Sequence, residues 1–161
     1  MTDTVIHHTT FVIERVYDAS VARVYAAFSE PGPRERWFVK GDGFAISEYD
    51  YDFRAGGIER GRFKPDGMDT YFINETRIFD VVENERVIFS YSMAAEGQPP
   101  FSVSLVTAEF IVEGASTRLK FTEQGAYLKS AGVDHAAMRE QGQNQLLDAL
   151  GREIAGSLQG A

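Results

Sequence analysis

The residue whose type and position most suggest chemistry is Glu123, a carboxylate that continues a row of apolar side chains. In the predicted strand Thr117–Gln124, the alternation of a β-strand places Leu119, Phe121 and Glu123 on one face. A carboxyl on the covered face of a sheet would be partly desolvated, as a catalytic acid or a ligand-orienting group would be. Alternatively, the strand ends at Thr122 and Glu123 meets water or a basic partner.

A second set of polar residues lies on a helix predicted from about Asp134 to Leu158. At 100° per residue, its apolar stripe comprises Leu146, Leu147, Leu150, Ile154 and Leu158. Upstream, the same face carries His135, Arg139 and Gln143, and Gly142 lies beside them. Because glycine destabilises a helix by about 1 kcal/mol relative to alanine, its presence suggests space for a ligand or close approach of the sheet. This half of the helix therefore borders a wet cavity or overhangs into water.

Aromatic side chains could line such a cavity and bind a ring-bearing or acyl ligand. The candidates are Trp37, Phe38, Tyr49, Tyr51, Tyr71, Tyr91 and Tyr127. Taken singly, each is also explained by core packing. Within the predicted strand Phe44–Phe53, the tyrosines alternate with Glu48, Asp50 and Asp52, so these acids are predicted to face solvent.

The other polar candidates form no complete catalytic constellation. Two histidines fall in residues 1–9, which we predict to be a frayed tail, and His135 is explained by a surface position. Ser102 and Ser104 have no evident base, so a Ser-His-Asp nucleophile is unsupported. Arg15, which lies in an apolar strand row, could clamp a carboxylate or phosphate, although a structural salt bridge is favoured.

Composition excludes several classes of function. The chain has 161 residues, no cysteine and a net charge of −8, from 24 acidic and 16 basic residues. Without cysteine it has no disulfide, zinc-thiolate site or thiol nucleophile, and a reducing cytoplasm fits. The negative charge disfavours nucleic acid and anionic membranes as partners. Since the first residues lack the pattern of a signal peptide, we expect a cytoplasmic protein. We also expect no cofactor and no metal.

Hydrophobic periodicity predicts one α+β domain over residues 1–161. A strand over Thr10–Tyr17 precedes a short helix capped by Ser20, and Pro31 begins a further helical turn. Six strands follow, predicted at about Phe44–Phe53, Ile58–Lys64, Thr70–Val81, Arg86–Met93, Phe101–Val112 and Thr117–Gln124. Hairpins would join them into a curved, seven-stranded antiparallel sheet whose inner face must be covered, and the last helix is long enough to cover it.

Several segments of the chain carry a family resemblance. They are ERVYDASVARVYAAF, RERWF, DFRAGG, VVENERVIFSYSM, SVSLVTAEF, TRLKFTEQGAYL and REQGQNQLLDALG. In these segments and in the order of its elements, the chain resembles the START-like, or SRPBCC, helix-grip superfamily, and within it the branch named after the activator of heat-shock protein 90 ATPase. Some members of that branch carry proline where Ser20 stands and tryptophan where Gln143 stands, so the helix is more polar here.

The resemblance implies a fold more specifically than a function, since the superfamily includes lipid carriers, polyketide cyclases and hydrolases. Our leading hypothesis is a non-catalytic protein that binds a small, largely apolar or aromatic molecule between sheet and helix. The first alternative is a cyclase, dehydratase or hydrolase that uses Glu123, with Tyr91 or Tyr127, in the same cavity. The second is a chaperone ATPase-activating module, for which a chaperone partner is disfavoured in a single domain. A homodimer remains open.

Overall fold

Seven antiparallel strands form one curved sheet that packs against a long C-terminal helix. The computed structural model describes residues 5–40, 43–128 and 134–159, with side chains up to residue 156. The strands are β1 His7–Tyr17, β2 Phe44–Tyr51, β3 Ile58–Pro65, β4 Phe72–Val82, β5 Arg86–Ala95, β6 Ser102–Glu113 and β7 Ser116–Tyr127. Their order in the sheet is β1-β7-β6-β5-β4-β3-β2. The predicted meander is therefore confirmed, with β1 added beside β7.

Three helices and a π-helical turn accompany the sheet. They are α1 Val21–Ser29, α2 Pro31–Arg34, the π-helical turn Glu35–Val39 and α3 His135–Gln159. The Ser20 hydroxyl caps α1 by accepting a hydrogen bond from the Arg23 backbone N–H, as predicted. The indole of Trp37 donates to the Ala27 carbonyl at 2.7 Å, which fixes the π-helical turn against α1. Among the described residues, no helix has both the length and the hydropathy to cross a membrane.

Tight turns make the hairpins possible. Each connection between successive strands from β2 to β7 contains a glycine with positive φ or, at position 84, an asparagine with φ 63°. Gly57 is required for a different reason: a Cβ there would lie 2.0 Å from the Asp52 carbonyl oxygen. The chain can therefore double back between β2 and β3 only with glycine at this position.

The two halves of α3 differ as the sequence predicted. In the C-terminal half, Leu147, Leu150 and Ile154 are buried against the sheet and α1, whereas the side chain of Leu158 lies outside the described residues. The Tyr17 hydroxyl donates to the Leu147 carbonyl at 2.7 Å and ties this half to β1. The N-terminal half is polar and faces the inner side of the sheet.

The strands β1 and β7 extend furthest beyond their predicted bounds. β1 begins at His7 instead of Thr10, so the residues from His7 to Thr9 are part of the sheet and not of a frayed tail. β7 continues to Tyr127, three residues past its predicted end. The two extensions pair with each other, since His7 lies opposite Tyr127. Pairing with a neighbouring strand stabilised backbone that looked unstructured from its local sequence.

The glycines of α3 give the first testable prediction. A Cβ at Gly142 or Gly156 would have no atom within 4 Å, whereas a Cβ at Gly151 would lie 3.1 Å from the Tyr17 ring. We expect Gly142→Ala and Gly156→Ala each to raise the free energy of unfolding by about 1 kcal/mol, because helix propensity rises without a clash. Gly151→Ala should give no such gain, because Tyr17 is held by its hydrogen bond to Leu147. Urea unfolding measures all three, and a destabilising Gly142→Ala would contradict the open space at that position.

Candidate functional site

Glu123 lies on the inner face of β7 and is completely buried. It pairs with Phe11 of β1 and Val106 of β6, so it occupies the middle of the sheet and not a fraying strand end. The alternation along β7 thus predicted its direction correctly. A carboxylate at such a position needs partners, because burying an unpaired charge is strongly unfavourable.

Both oxygens of Glu123 accept hydrogen bonds from other elements. The Tyr91 hydroxyl on β5 donates to Oε2 at 2.7 Å, and the Gln143 side-chain amide on α3 donates to Oε1 at 2.8 Å. The same amide donates to the Tyr91 oxygen at 3.0 Å, which closes a triangle of three side chains. Burial, reinforced by the nearby carboxylate, raises the pKa of Tyr91 well above its ordinary value, although Arg139 opposes the shift. Tyr91 therefore stays protonated and acts as a donor.

Arg139 supplies the compensating positive charge. Its Nη1 lies 3.7 Å from Glu123 Oε2 and donates to the Tyr91 oxygen at 3.0 Å. It also donates to two serines at the start of β6, reaching Ser102 Oγ at 2.7 Å and Ser104 Oγ at 3.4 Å. The Arg139 side chain keeps 12% of its surface exposed, whereas Glu123 keeps none. Arg139 is therefore the member of this pair that lies nearer to solvent.

The ring of Tyr127 packs beside this cluster. Its ring centroid is 5.5 Å from Arg139 Cζ, and only 1% of the residue is exposed. Among the described residues, the buried hydroxyl has no hydrogen-bond partner. A Cβ added at Gly125 would lie 3.2 Å from this hydroxyl and 3.2 Å from Ser104 Oγ, so both pack closely against the glycine and a side chain there would crowd them.

A row of half-buried rings lies at the end of the sheet where α3 begins. We call this end of the sheet the open end. Successive ring centroids are 5.8 to 6.1 Å apart in the order Phe44, Phe63, Phe72, Phe101 and His135. We call these five residues the aromatic row. Phe63 and Phe72 share the inner face with buried residues of their own strands, yet both stay partly exposed. α3 therefore leaves this end of the inner face uncovered.

A second buried cluster, which the sequence analysis missed, centres on Arg34 and Glu59. Arg34 Nε and Nη2 donate to the two carboxylate oxygens at 2.7 and 2.9 Å, and Nη1 donates to the Phe28 carbonyl at 3.1 Å. The Tyr49 hydroxyl also donates to Glu59. Both charged side chains are buried. This is the bidentate geometry that makes a buried ion pair favourable.

Aromatic rings enclose the Arg34 guanidinium. Its Cζ lies 4.4 to 5.2 Å from the ring centroids of Phe28, Trp37, Phe38 and Tyr51. The structure does not bring all of the predicted lining residues into one pocket. Four of them contact Arg34 or Glu59 instead; these are Trp37, Phe38, Tyr49 and Tyr51. The predicted residues that do come together at α3 are Tyr91, Glu123, Tyr127, Arg139 and Gln143, with Gly142 beside them. Arg15 is also structural, since it donates to Asn144 at 2.6 Å and pairs with Asp148.

The predicted ligand cavity between sheet and helix is not confirmed. Directly between Glu123 and α3, the side chains of Arg139 and Gln143 occupy the space. A void of about 10 Å³ adjoins the Arg34 cluster, barely enough for one water. A broad groove of about 510 Å³ lies on the outer face of the sheet, where its lining includes Val103 and Leu105.

Comparison with known proteins identifies the family of this fold. The family model described as Activator of Hsp90 ATPase homolog 1-like protein matches residues 18–155. The chain belongs to this family. A Rhizobium loti protein of the same helix-grip fold is 43% identical, with a TM-score of 0.83 over 92% of this chain and 99% of that one.

Other solved structures share the fold of this Hsp90-activator-like family member. A protein from Rhizobium leguminosarum is 34% identical, with a TM-score of 0.87 over 96% of this chain and 99% of that one. A protein from the dynemicin biosynthetic locus shares the fold at 16% identity and a TM-score of 0.65, over 91% of this chain and 47% of that one. No curated protein matches the chain.

Proposed function

We propose that this member of the family binds a small, largely apolar or aromatic molecule at the open end of the sheet, without catalysing its conversion. The observation that carries the proposal is the aromatic row, in which rings from β2, β3, β4, α3 and the residue just before β6 stay half-exposed together. Contiguous apolar surface that stays exposed is typical of interaction sites and is rarely left to water without a reason. Membership of a family that often binds hydrophobic ligands supports the same reading.

The polar cluster at Glu123 suits a binding role better than the enzymatic alternative. Each oxygen of Glu123 already accepts a hydrogen bond, and the residue has no exposed surface. A general acid or base must exchange a proton with substrate or water, which this arrangement impedes. Glu123 instead holds Tyr91 and Gln143 in fixed positions beneath the open end. Turnover of a substrate that is lost in Glu123→Gln, with ligand binding retained, would favour the enzyme.

The chaperone alternative rests on the family description alone, and the described residues add no observation in its favour. It is tested separately, by measuring the ATPase rate of the chaperone with and without the protein. An unchanged ATPase rate, together with no chaperone in a pull-down, would contradict this alternative.

Native mass spectrometry of gently purified protein tests whether a ligand is present. We expect a copurified small molecule, whose mass would identify its class. Because a purified protein can lose its ligand, the same sample is then titrated with an apolar fluorescent probe. A protein that carries no molecule and binds no probe would contradict the proposal.

Gly142→Leu locates the site. Because the position of its Cβ is open, the new side chain should project towards the open end and weaken probe binding by about tenfold or more, while the protein stays folded. Gly156→Leu is the matched control, since it adds the same side chain at an equally open position of α3 far from the aromatic row. Equal probe binding by wild type and both variants would place the site elsewhere.

A further inference from the structure

The half-buried amide of Asn74 lies on the inner face of the sheet, between the aromatic row and the polar cluster at Glu123. Along β4 it follows Phe72 and precedes Thr76 on this face, because alternate residues of a strand point the same way. Phe72 belongs to the aromatic row, whereas Thr76 lies opposite Tyr91, which donates to Glu123. Asn74 therefore places an amide directly behind the aromatic row.

Solvent reaches this position on the inner face. Asn74, Phe72 beside it and Met93 opposite it each keep part of their surface exposed, whereas Thr76, the next inner-face residue of β4, is buried. On the β3 side the residue opposite Asn74 is Gly61, which contributes no side chain to cover the amide. The buried part of the inner face thus begins behind Asn74, so a molecule that lies against the aromatic row can reach this amide.

The amide has hydrogen-bonding capacity that the protein does not use. Its oxygen accepts a hydrogen bond from the Thr76 hydroxyl at 3.1 Å, which fixes the orientation of the side chain. Its nitrogen donates to the Met93 sulfur at 3.4 Å, and a thioether is a weak acceptor. An amide nitrogen carries two hydrogens, and the second donates to no described residue. An oriented donor beside apolar rings is the arrangement by which ligand sites select a polar group.

We propose that the Asn74 amide donates a hydrogen bond to a neutral acceptor oxygen, of the carbonyl kind, on the aromatic molecule that binds against the aromatic row. This inference rests on the proposed function and specifies the chemistry of its ligand. An amide N–H suits a neutral oxygen, because it supplies a donor without a positive charge. A carboxylate is disfavoured, since Arg139, the cation of the neighbouring cluster, already pairs with Glu123 at 3.7 Å and the protein carries a net charge of −8.

Three naphthalene probes of matched size test the inference: 2-acetonaphthone with a carbonyl oxygen, 2-ethylnaphthalene without one, and 2-naphthoate with a carboxylate. Wild-type protein should bind the ketone about fivefold more tightly than the hydrocarbon, the gain expected of one neutral hydrogen bond, and more tightly than the carboxylate. In Asn74→Leu this preference should disappear, while the hydrocarbon binds at least as tightly as it does to wild type. Asn144→Leu is the matched control and should keep the wild-type preference, because Asn144 contacts Arg15 on the β1 side of α3.

NMR of the wild-type protein adds a readout that needs no variant. The side-chain NH₂ signals of Asn74 should shift when the ketone binds, and should shift less when the hydrocarbon binds, because only the ketone accepts a hydrogen bond. Signals that respond equally to both probes would overturn the proposed contact.

The outcomes separate this inference from the proposed function. If ketone and hydrocarbon bind wild type equally, or if the preference survives in Asn74→Leu, the inference is wrong while the aromatic site stands. An equal loss of both probes in Asn74→Leu would show that Asn74 supports the fold instead, which also overturns it. Tightest binding of 2-naphthoate would overturn the choice of a neutral oxygen. If none of the probes binds wild type, the aromatic site fails and this inference fails with it.

Discussion

Arg34→Met is expected to lower the free energy of unfolding by about 3–5 kcal/mol, because it leaves the Glu59 carboxylate buried without its cation. The substitution also removes the hydrogen bond to the Phe28 carbonyl and the contacts with the surrounding rings. Urea or guanidinium unfolding at neutral pH measures the loss. Adding Glu59→Met to the same chain should restore most of the stability, since two apolar side chains of similar size can replace a buried ion pair.

Arg86→Met is the matched control for this prediction. Arg86 donates to Asp80 at 2.6 Å, but both side chains are exposed by more than a third. An ion pair between such exposed groups contributes little, so the unfolding midpoint should barely move. If Arg34→Met were no more destabilising than Arg86→Met, the Arg34 cluster would not be a structural element of the fold.

Arg139→Met is expected to destabilise the protein by about 3 kcal/mol, because Glu123 then keeps its hydrogen bonds but loses the charge that balances it. Glu123→Gln in the Arg139→Met background should recover much of this loss, since a neutral amide needs no counter-charge. A double-mutant cycle by urea unfolding gives the coupling energy between the two residues. Additive effects of the two substitutions would show that Arg139 and Glu123 act independently, in conflict with the structure.

The sequence predicted the parts of the fold that depend on local periodicity. The apolar stripe of α3 and the alternation within the strands report structure within a few residues, so the helix and the strands could be placed. Glu123 could also be found, because Leu119 and Phe121 mark the inner face of its strand. The extension of β1 to His7 could not, because it depends on pairing with Tyr127, far away in the chain.

Glu59 shows why the Arg34 cluster was missed. In β3 the hydropathy pattern runs against burial, since Ile58 is 56% exposed whereas Glu59 is 1% exposed. Arg34, in a short segment rich in proline and glycine, looks like a solvated residue. The fold brings α2 against the inner face of β3, so that Arg34 and Glu59 meet. Each of these two charges can be buried because the other is present. Once β3 is recognised, the shared face of Glu59 and Phe63 is the signal that could have identified the pair.

The aromatic row was missed for a related reason. Its members come from four separate elements and from the residue before β6, and each lies near a strand or helix end, where periodicity is weakest. Their proximity follows from the register and curvature of the whole sheet, which no single segment encodes. The correct strand registers would have predicted one of these contacts, because Phe63 of β3 lies directly opposite Phe72 of β4.

An NMR titration of isotope-labelled protein with 2-acetonaphthone tests the central claim most directly, because it reports where an aromatic molecule binds. We predict saturable shift changes concentrated at the open end, at Phe63, Phe72, Phe101 and Gly142, with little change on the outer face of the sheet. Changes centred on Val103 and Leu105 would assign binding to the groove of about 510 Å³ on the outer face, and would contradict a ligand site at the open end.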